Sequence, residues 1–242
     1  MSVEEFVAKR DTILLAVVGS TAYGMTTADS DYDRLGVYLA PTREVLGLRG
    51  PSTVTETHVQ RAPEPDVALH ELGKYVGLAL KANPTVLELL WAEEYEVRTD
   101  VGSELIAMRD GFLSASTVRA SYAGYAIQQA RRLSERHDNG QDGFKSSLAK
   151  RTAKHGRHCY RLLIMGRELL STGTMKLNVS EHREAIFAAG DMAASNPAEF
   201  TRFFESELAK FDEIESVLPE SADWERANAL VVRARLGQLK SE

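Results

Sequence analysis

Gly19-Ser20, then ten residues, then Asp31 and Asp33 two apart: this is the stretch of the chain whose residue types and spacing could do chemistry. In an extended segment an Asp-x-Asp pair sends both carboxylates to one face, about 7 Å apart along the chain. Two carboxylates that close repel unless a cation lies between them, and hard oxygen donors of this kind suit Mg²⁺, which takes carboxylates together with phosphate oxygens and water. A glycine and serine that end a strand expose backbone N–H groups and a hydroxyl to an anion. Alone, the Asp-x-Asp reads equally well as a solvated turn. The joint pattern is narrower and describes a metal–triphosphate site.

The flanking segments are what must position these groups. The run from Thr12 to Gly19, "TILLAVVG", is short, aliphatic and closed by glycine, as a buried strand is; "DRLGVYLA", ending before Pro41, reads as a second strand. Ser52 to Gln60 and a short segment around Pro65 to Leu69 read as a third and a fourth. The period then becomes helical in "LGKYVGLALKA", and Asn83-Pro84 starts a further helix with an asparagine cap and a proline in its first turn. Beyond about residue 100 helices are expected at Val118 to Glu135, Ser147 to Leu170, Pro197 to Val217 and Trp224 to Leu239. The expected fold class is α+β: a small mixed β-sheet domain over residues 1–100 and a helical domain over 101–242.

One helix carries unusual charge. From Phe144 to Arg167 there are seven basic residues, Lys145, Lys150, Arg151, Lys154, Arg157, Arg161 and Arg167, and no acidic one. Arg151, Lys154, His158 and Arg161 fall at three- and four-residue steps, hence on one helical face, which could meet phosphate or simply face water. The whole chain points elsewhere: its net charge of -6 argues against a general nucleic-acid coat or a membrane-surface protein. A single cysteine, Cys159, excludes an intrachain disulfide and a multi-cysteine zinc site. Acidic residues in "MSVEEF" and the lack of a long apolar run predict a soluble protein of a reducing compartment, the cytoplasm, with no membrane partner.

"GSTAYGMTTADSDYDRLGVY", "DVALHELGKYVGLALKANPTVLELLW" and "KHGRHCYRLLIMGRELLSTG" together resemble the DNA polymerase β-type nucleotidyltransferases, in particular those linked to RNA repair ligases and their stand-alone bacterial and phage relatives. The resemblance implies Mg²⁺-dependent transfer of a nucleoside monophosphate from an NTP, ATP by default, to an acceptor hydroxyl with release of pyrophosphate. It implies two Mg²⁺ ions, with Mn²⁺ as a substitute, on Asp31, Asp33 and a third carboxylate from a neighbouring strand. Asp66 is the candidate and Glu71 its rival. Gly19, Ser20, Lys154, His158 and Arg161 would bind nucleotide, and the acceptor would be RNA, or else a protein or small molecule. Relatives commonly carry an arginine directly before the glycine that follows the aspartates. Here Leu35 holds that place, and strand alternation turns Arg34 away from the aspartate face. Two readings of other classes remain, a regulatory protein that binds Mg–NTP without transferring it and an RNA-binding partner with a vestigial site.

Overall fold

A computed structural model describes residues 2–28, 30–48, 50, 56–61, 66–138 and 145–241; for 132–138, 145–148 and 241 it describes the backbone alone. The chain divides into two compact units, Met1–Leu113 with Ser221–Glu242, and Ser114–Glu220. The C-terminal helix, grouped by the sequence reading with the helical domain, thus belongs with the sheet.

The first unit is built on a five-stranded mixed sheet in the order β3-β4-β2-β1-β5: β1 Thr12–Val18, β2 Asp33–Tyr38, β3 Thr57–Gln60, β4 Val67–Glu71 and β5 Val97–Arg98. The aliphatic run of β1 is buried at all but one position, which places it inside the sheet between β2 and β5. β1 and β2 pair antiparallel, whereas β2 and β4 pair parallel. The crossover between the parallel pair contains α3, Thr42–Leu46, and β3, which returns antiparallel along β4. Gly36 is required where the strands crowd: a Cβ there would stand 2.6 Å from the Leu14 carbonyl oxygen.

Helices cover the sheet because its apolar residues need a second layer. Phe6 of α1, Val3–Ala8, packs in one core cluster with Leu15, Tyr38, Val67 and Leu69. The turn of helix α2, Gly19–Ala22, follows β1 directly, and α4, Leu72–Ala79, follows β4. The segment "PTVLELLW" forms α5, Pro84–Leu87, continued by a 3-10 turn, Glu88–Trp91. After β5 come α6, Asp100–Ala107, and a second 3-10 turn, Arg109–Phe112. The β5 strand and the first, third and sixth helices are elements that hydropathy period did not mark, since each is short and gains its stability from the layer it joins.

The second unit is helical: α7 Ala115–Asp138, α8 Lys145–Thr172, α9 Arg183–Ser195 and α10 Pro197–Asp212. Small residues allow close approach, and a Cβ at Gly156 of α8 would stand 2.6 Å from that of Ala193 on α9. The C-terminal α11, Trp224–Ser241, returns to the first unit. There Arg235 forms a buried ion pair with Glu71, and Gln238 accepts hydrogen bonds from the Thr42 N–H and hydroxyl, both at 2.7 Å.

Candidate active site

The residues selected by their spacing in the first hundred converge on one end of β1, β2 and β4. Val18, the last residue of β1, pairs with Asp33, the first of β2. Directly after Val18 the chain leaves the ladder at Gly19 with φ +71°, a conformation that disfavours any side chain. The fit is also steric, because a Cβ on Gly19 would lie 2.6 Å from Asp33 Oδ2. The Asp33 carboxylate therefore rests on the Gly-Ser turn. Glycine is needed here both for backbone conformation and for the approach of the carboxylate.

Asp31 lies outside the strand. The expectation that strand alternation sets both aspartates is corrected in that respect, since β2 begins only at Asp33. The reason is that β1, its partner, has already turned away at Gly19. Asp31 is exposed and follows a turn in which Ser30 N–H donates to the Thr27 carbonyl at 3.0 Å and Thr27 N–H to Ser30 Oγ at 2.8 Å.

Asp66 is brought to the same end. Its carbonyl accepts a hydrogen bond from Arg34 N–H at 2.9 Å, and Arg34 pairs in parallel register with Val67. Extending that register by one residue sets Asp66 beside Asp33, about 4.8 Å away between Cα atoms, with both side chains on one face. Glu71 stands at the far end of β4, five residues on and on the opposite parity. It is fully buried, paired with Arg235, and accepts from the N–H groups of Gly73 at 2.7 Å and Lys74 at 3.4 Å as the cap of α4. These are the duties of a structural carboxylate. His70 likewise serves the sheet, its Nδ1 lying 2.8 Å from the Thr57 hydroxyl across β3 and β4.

Arg34 is turned from the aspartates, as alternation predicts. Its Nε lies 2.7 and 3.0 Å from the two Glu96 carboxylate oxygens, and its guanidinium lies 4.6 Å from the centre of the Tyr32 ring. The other tyrosine of the stretch, Tyr23, donates its hydroxyl to Glu88 at 2.5 Å. Sequence reading left Tyr23 open between packing and stacking on a base; a partner 65 residues away has no local signal.

Aspartates at strand ends supply the hard oxygen donors that a divalent cation takes. Among the described residues no three acidic, histidine or cysteine side chains already converge as a closed metal cage. An open set of carboxylates completed by phosphate oxygens and water is the usual manner of Mg²⁺.

The basic helix, described within its own unit, is less uniform than its sequence. Arg151 and Lys154 are exposed, whereas Arg161 is only 5 % exposed. Arg161 donates to His158 Nδ1 at 3.0 Å and approaches Met165 Sδ at 2.9 Å. Burial first, and the Arg161 charge second, lower the His158 pKa to about 3, so its ring is a neutral acceptor at physiological pH. Arg157 stacks on Phe187 at 4.6 Å, and Arg167 pairs with Glu207 at 2.6 Å. The helix therefore carries no single cationic face: part of its charge serves the packing of the unit. A cavity of about 360 Å³ in this unit, whose lining includes Ile127, Arg131, Phe200, Phe204 and Glu205, has none of the residues selected from sequence.

The model of the RNA repair pathway DNA polymerase beta family matches residues 2–233, and the chain belongs to that family. No curated protein matches significantly. Among solved structures the chain is similar to a nucleotidyltransferase-like protein from Exiguobacterium sibiricum 255-15, with 16 % identity, 98 % of this chain and 72 % of that one covered, and a TM-score of 0.29. A likeness that loose adds no weight to the family match. Among the described residues no helix is long and apolar enough to cross a membrane.

Proposed function

We propose that the protein transfers a nucleoside monophosphate from an NTP, ATP by default, to an acceptor hydroxyl of RNA. The observation that carries this reading is the convergence of Gly19, Asp33 and Asp66 at one end of the sheet in a member of this polymerase beta family. Asp31, Asp33 and Asp66 would hold two Mg²⁺ ions, for which Mn²⁺ would substitute. Bound there, the ions neutralise triphosphate charge and lower the pKa of the attacking hydroxyl. Gly19 and Ser20 hold the β and γ phosphates through the turn after β1. The acceptor oxygen forms a bond to the α phosphorus while the bond from that phosphorus to the bridging oxygen breaks. Pyrophosphate departs and the hydroxyl proton passes to water. No covalent enzyme intermediate is needed, and positioning with charge compensation does the catalysis.

Within its own unit Lys154 is exposed, whereas Arg161 is buried. The RNA acceptor is favoured by the family's repair pathway and by the exposed cations at Lys150, Arg151 and Lys154. The test is incubation with each α-labelled NTP, Mg²⁺ and total cell RNA or protein. Label retained on RNA is the expected outcome; label on protein or a small molecule removes the RNA assignment, and no retained label removes the transferase.

A further inference from the structure

Glu88 is a carboxylate only 2 % exposed, and such a group is costly to bury unless hydrogen-bonded. It accepts a hydrogen bond from the phenol of Tyr23, 2.5 Å away and 65 residues earlier in the chain. We propose that Glu88 is a positioning residue for the nucleotide, acting through Tyr23 on the Gly19-Ser20 turn; this rests on the transferase reading above.

The segment that carries Glu88 is held firmly. It begins at Ala82, which is fully buried and has φ +49°, a left-handed conformation that a non-glycine residue keeps only when its surroundings impose it. Asn83 caps the next turn through the Val86 N–H, and Pro84 fixes its first residue. Two more tyrosines tie the segment down, Tyr75 through the Val86 carbonyl at 2.9 Å and Tyr95 through the Leu89 carbonyl at 3.0 Å. Glu88 is thus an anchored acceptor.

Tyr23 sits on the opposite kind of element. The four-residue α2 is too short to hold a fixed place by its own hydrogen bonds. Tyr23 closes it, with its N–H on the Gly19 carbonyl at 3.1 Å, and Met25 N–H bonds the Ser20 carbonyl at 2.9 Å. Fixing the phenol therefore fixes the turn whose Gly19 bears on Asp33 Oδ2. A short hydrogen bond onto a buried, anchored acceptor is suited to that task. The pair aligns the groups that would meet the triphosphate with the carboxylates that would meet its metal, before either arrives.

The test compares wild type with Tyr23→Phe and Glu88→Gln in the full chain, by amide hydrogen exchange without ligand and by Mg–NTP affinity. Tyr23→Phe removes the donor but keeps the ring. Exchange from Ser20 to Met25 is expected to rise, and affinity for Mg–ATP to fall roughly tenfold, the scale of one lost charged hydrogen bond. Glu88→Gln retains an acceptor oxygen and is expected to keep affinity within about threefold of wild type. Unchanged exchange in Tyr23→Phe overturns the proposal, as does equal loss of protection across β1, β2 and the turn, which would mark a pair that only stabilises the unit. Equal Mg–ATP affinity in Tyr23→Phe and a nucleotide-binding wild type overturns this inference alone. Failure of wild type to bind any Mg–NTP overturns the nucleotide role together with the transferase reading, even where exchange in the turn rises.

Discussion

The carboxylates at the end of the sheet and the cations of α8 show two ways in which a sequence pattern meets its structure. On the strands, Asp33 and Asp66 are placed by the backbone ladder: once Val18 pairs with Asp33 and Arg34 with Val67, the two aspartates have little freedom. On the helix, spacing assigns only a direction. Long side chains then choose among available partners, and Arg157, Arg161 and Arg167 find an aromatic ring, a half-buried imidazole and a carboxylate. The place of a short polar side chain in a ladder is therefore better fixed by the sequence than that of long cations on a helix.

The largest effect that would break this contrast is expected at Asp33. Asp33→Asn should lower the transfer rate by roughly a thousandfold, about 4 kcal/mol at 1.36 kcal/mol per decade. It should leave the melting temperature of metal-free protein equal or higher, because a like charge beside Asp66 is removed. Steady-state kinetics with thermal denaturation checks both, and loss of fold and activity together would make the aspartate structural. Arg167→Met should do the reverse, reducing stability by about 3 kcal/mol by leaving Glu207 without one of its cations, with little change in RNA affinity.

A smaller effect is expected from pH. His158 has a folded pKa of about 3, below its ordinary 6.5, so between those values the unfolded chain binds the extra proton. This group's contribution to stability is full above pH 6.5 and is lost as pH falls toward 3, at up to about 1.4 kcal/mol per unit. Urea denaturation at pH 7 and 5 should show the loss, and His158→Asn should flatten it. The smallest effect is expected from the exposed cations. If RNA is held by single-strand phosphates, affinity should fall with salt, and Lys154→Ala should reduce the log–log slope by about 0.7, one phosphate contact. An equal change in Arg167→Met would erase the distinction between surface and packing cations.

Much of the fold was legible because its main elements carry strong local signals. The aliphatic β1 ended by glycine, the second strand before Pro41, the Asn83-Pro84 helix start and the long helices beyond residue 114 all appear where pattern placed them, within a few residues. The third strand was expected from Ser52, and the observed one begins at Thr57; residues 51–55 lie outside the described set. The two-residue β5 and the helix at Arg183–Ser195 were not singled out. A pair of residues has no period, and its strand exists only because β1 offers an open edge.

The sequence by itself determined which residue types stand where: a glycine where β1 must turn, aspartates before and at the start of β2, an aspartate before β4, and a basic helix in an acidic chain. Local propensity and side-chain period suffice for this, since they act over a few residues. Only the tertiary structure decided that Asp66 lies beside Asp33 while Glu71 caps a helix and meets Arg235, that Asp31 precedes the strand, and that Arg161 turns inward. Those choices depend on register, on burial against other helices and, for Glu71, on a partner 164 residues away, and the free energy of such contacts exists only once the chain has closed the loops between them.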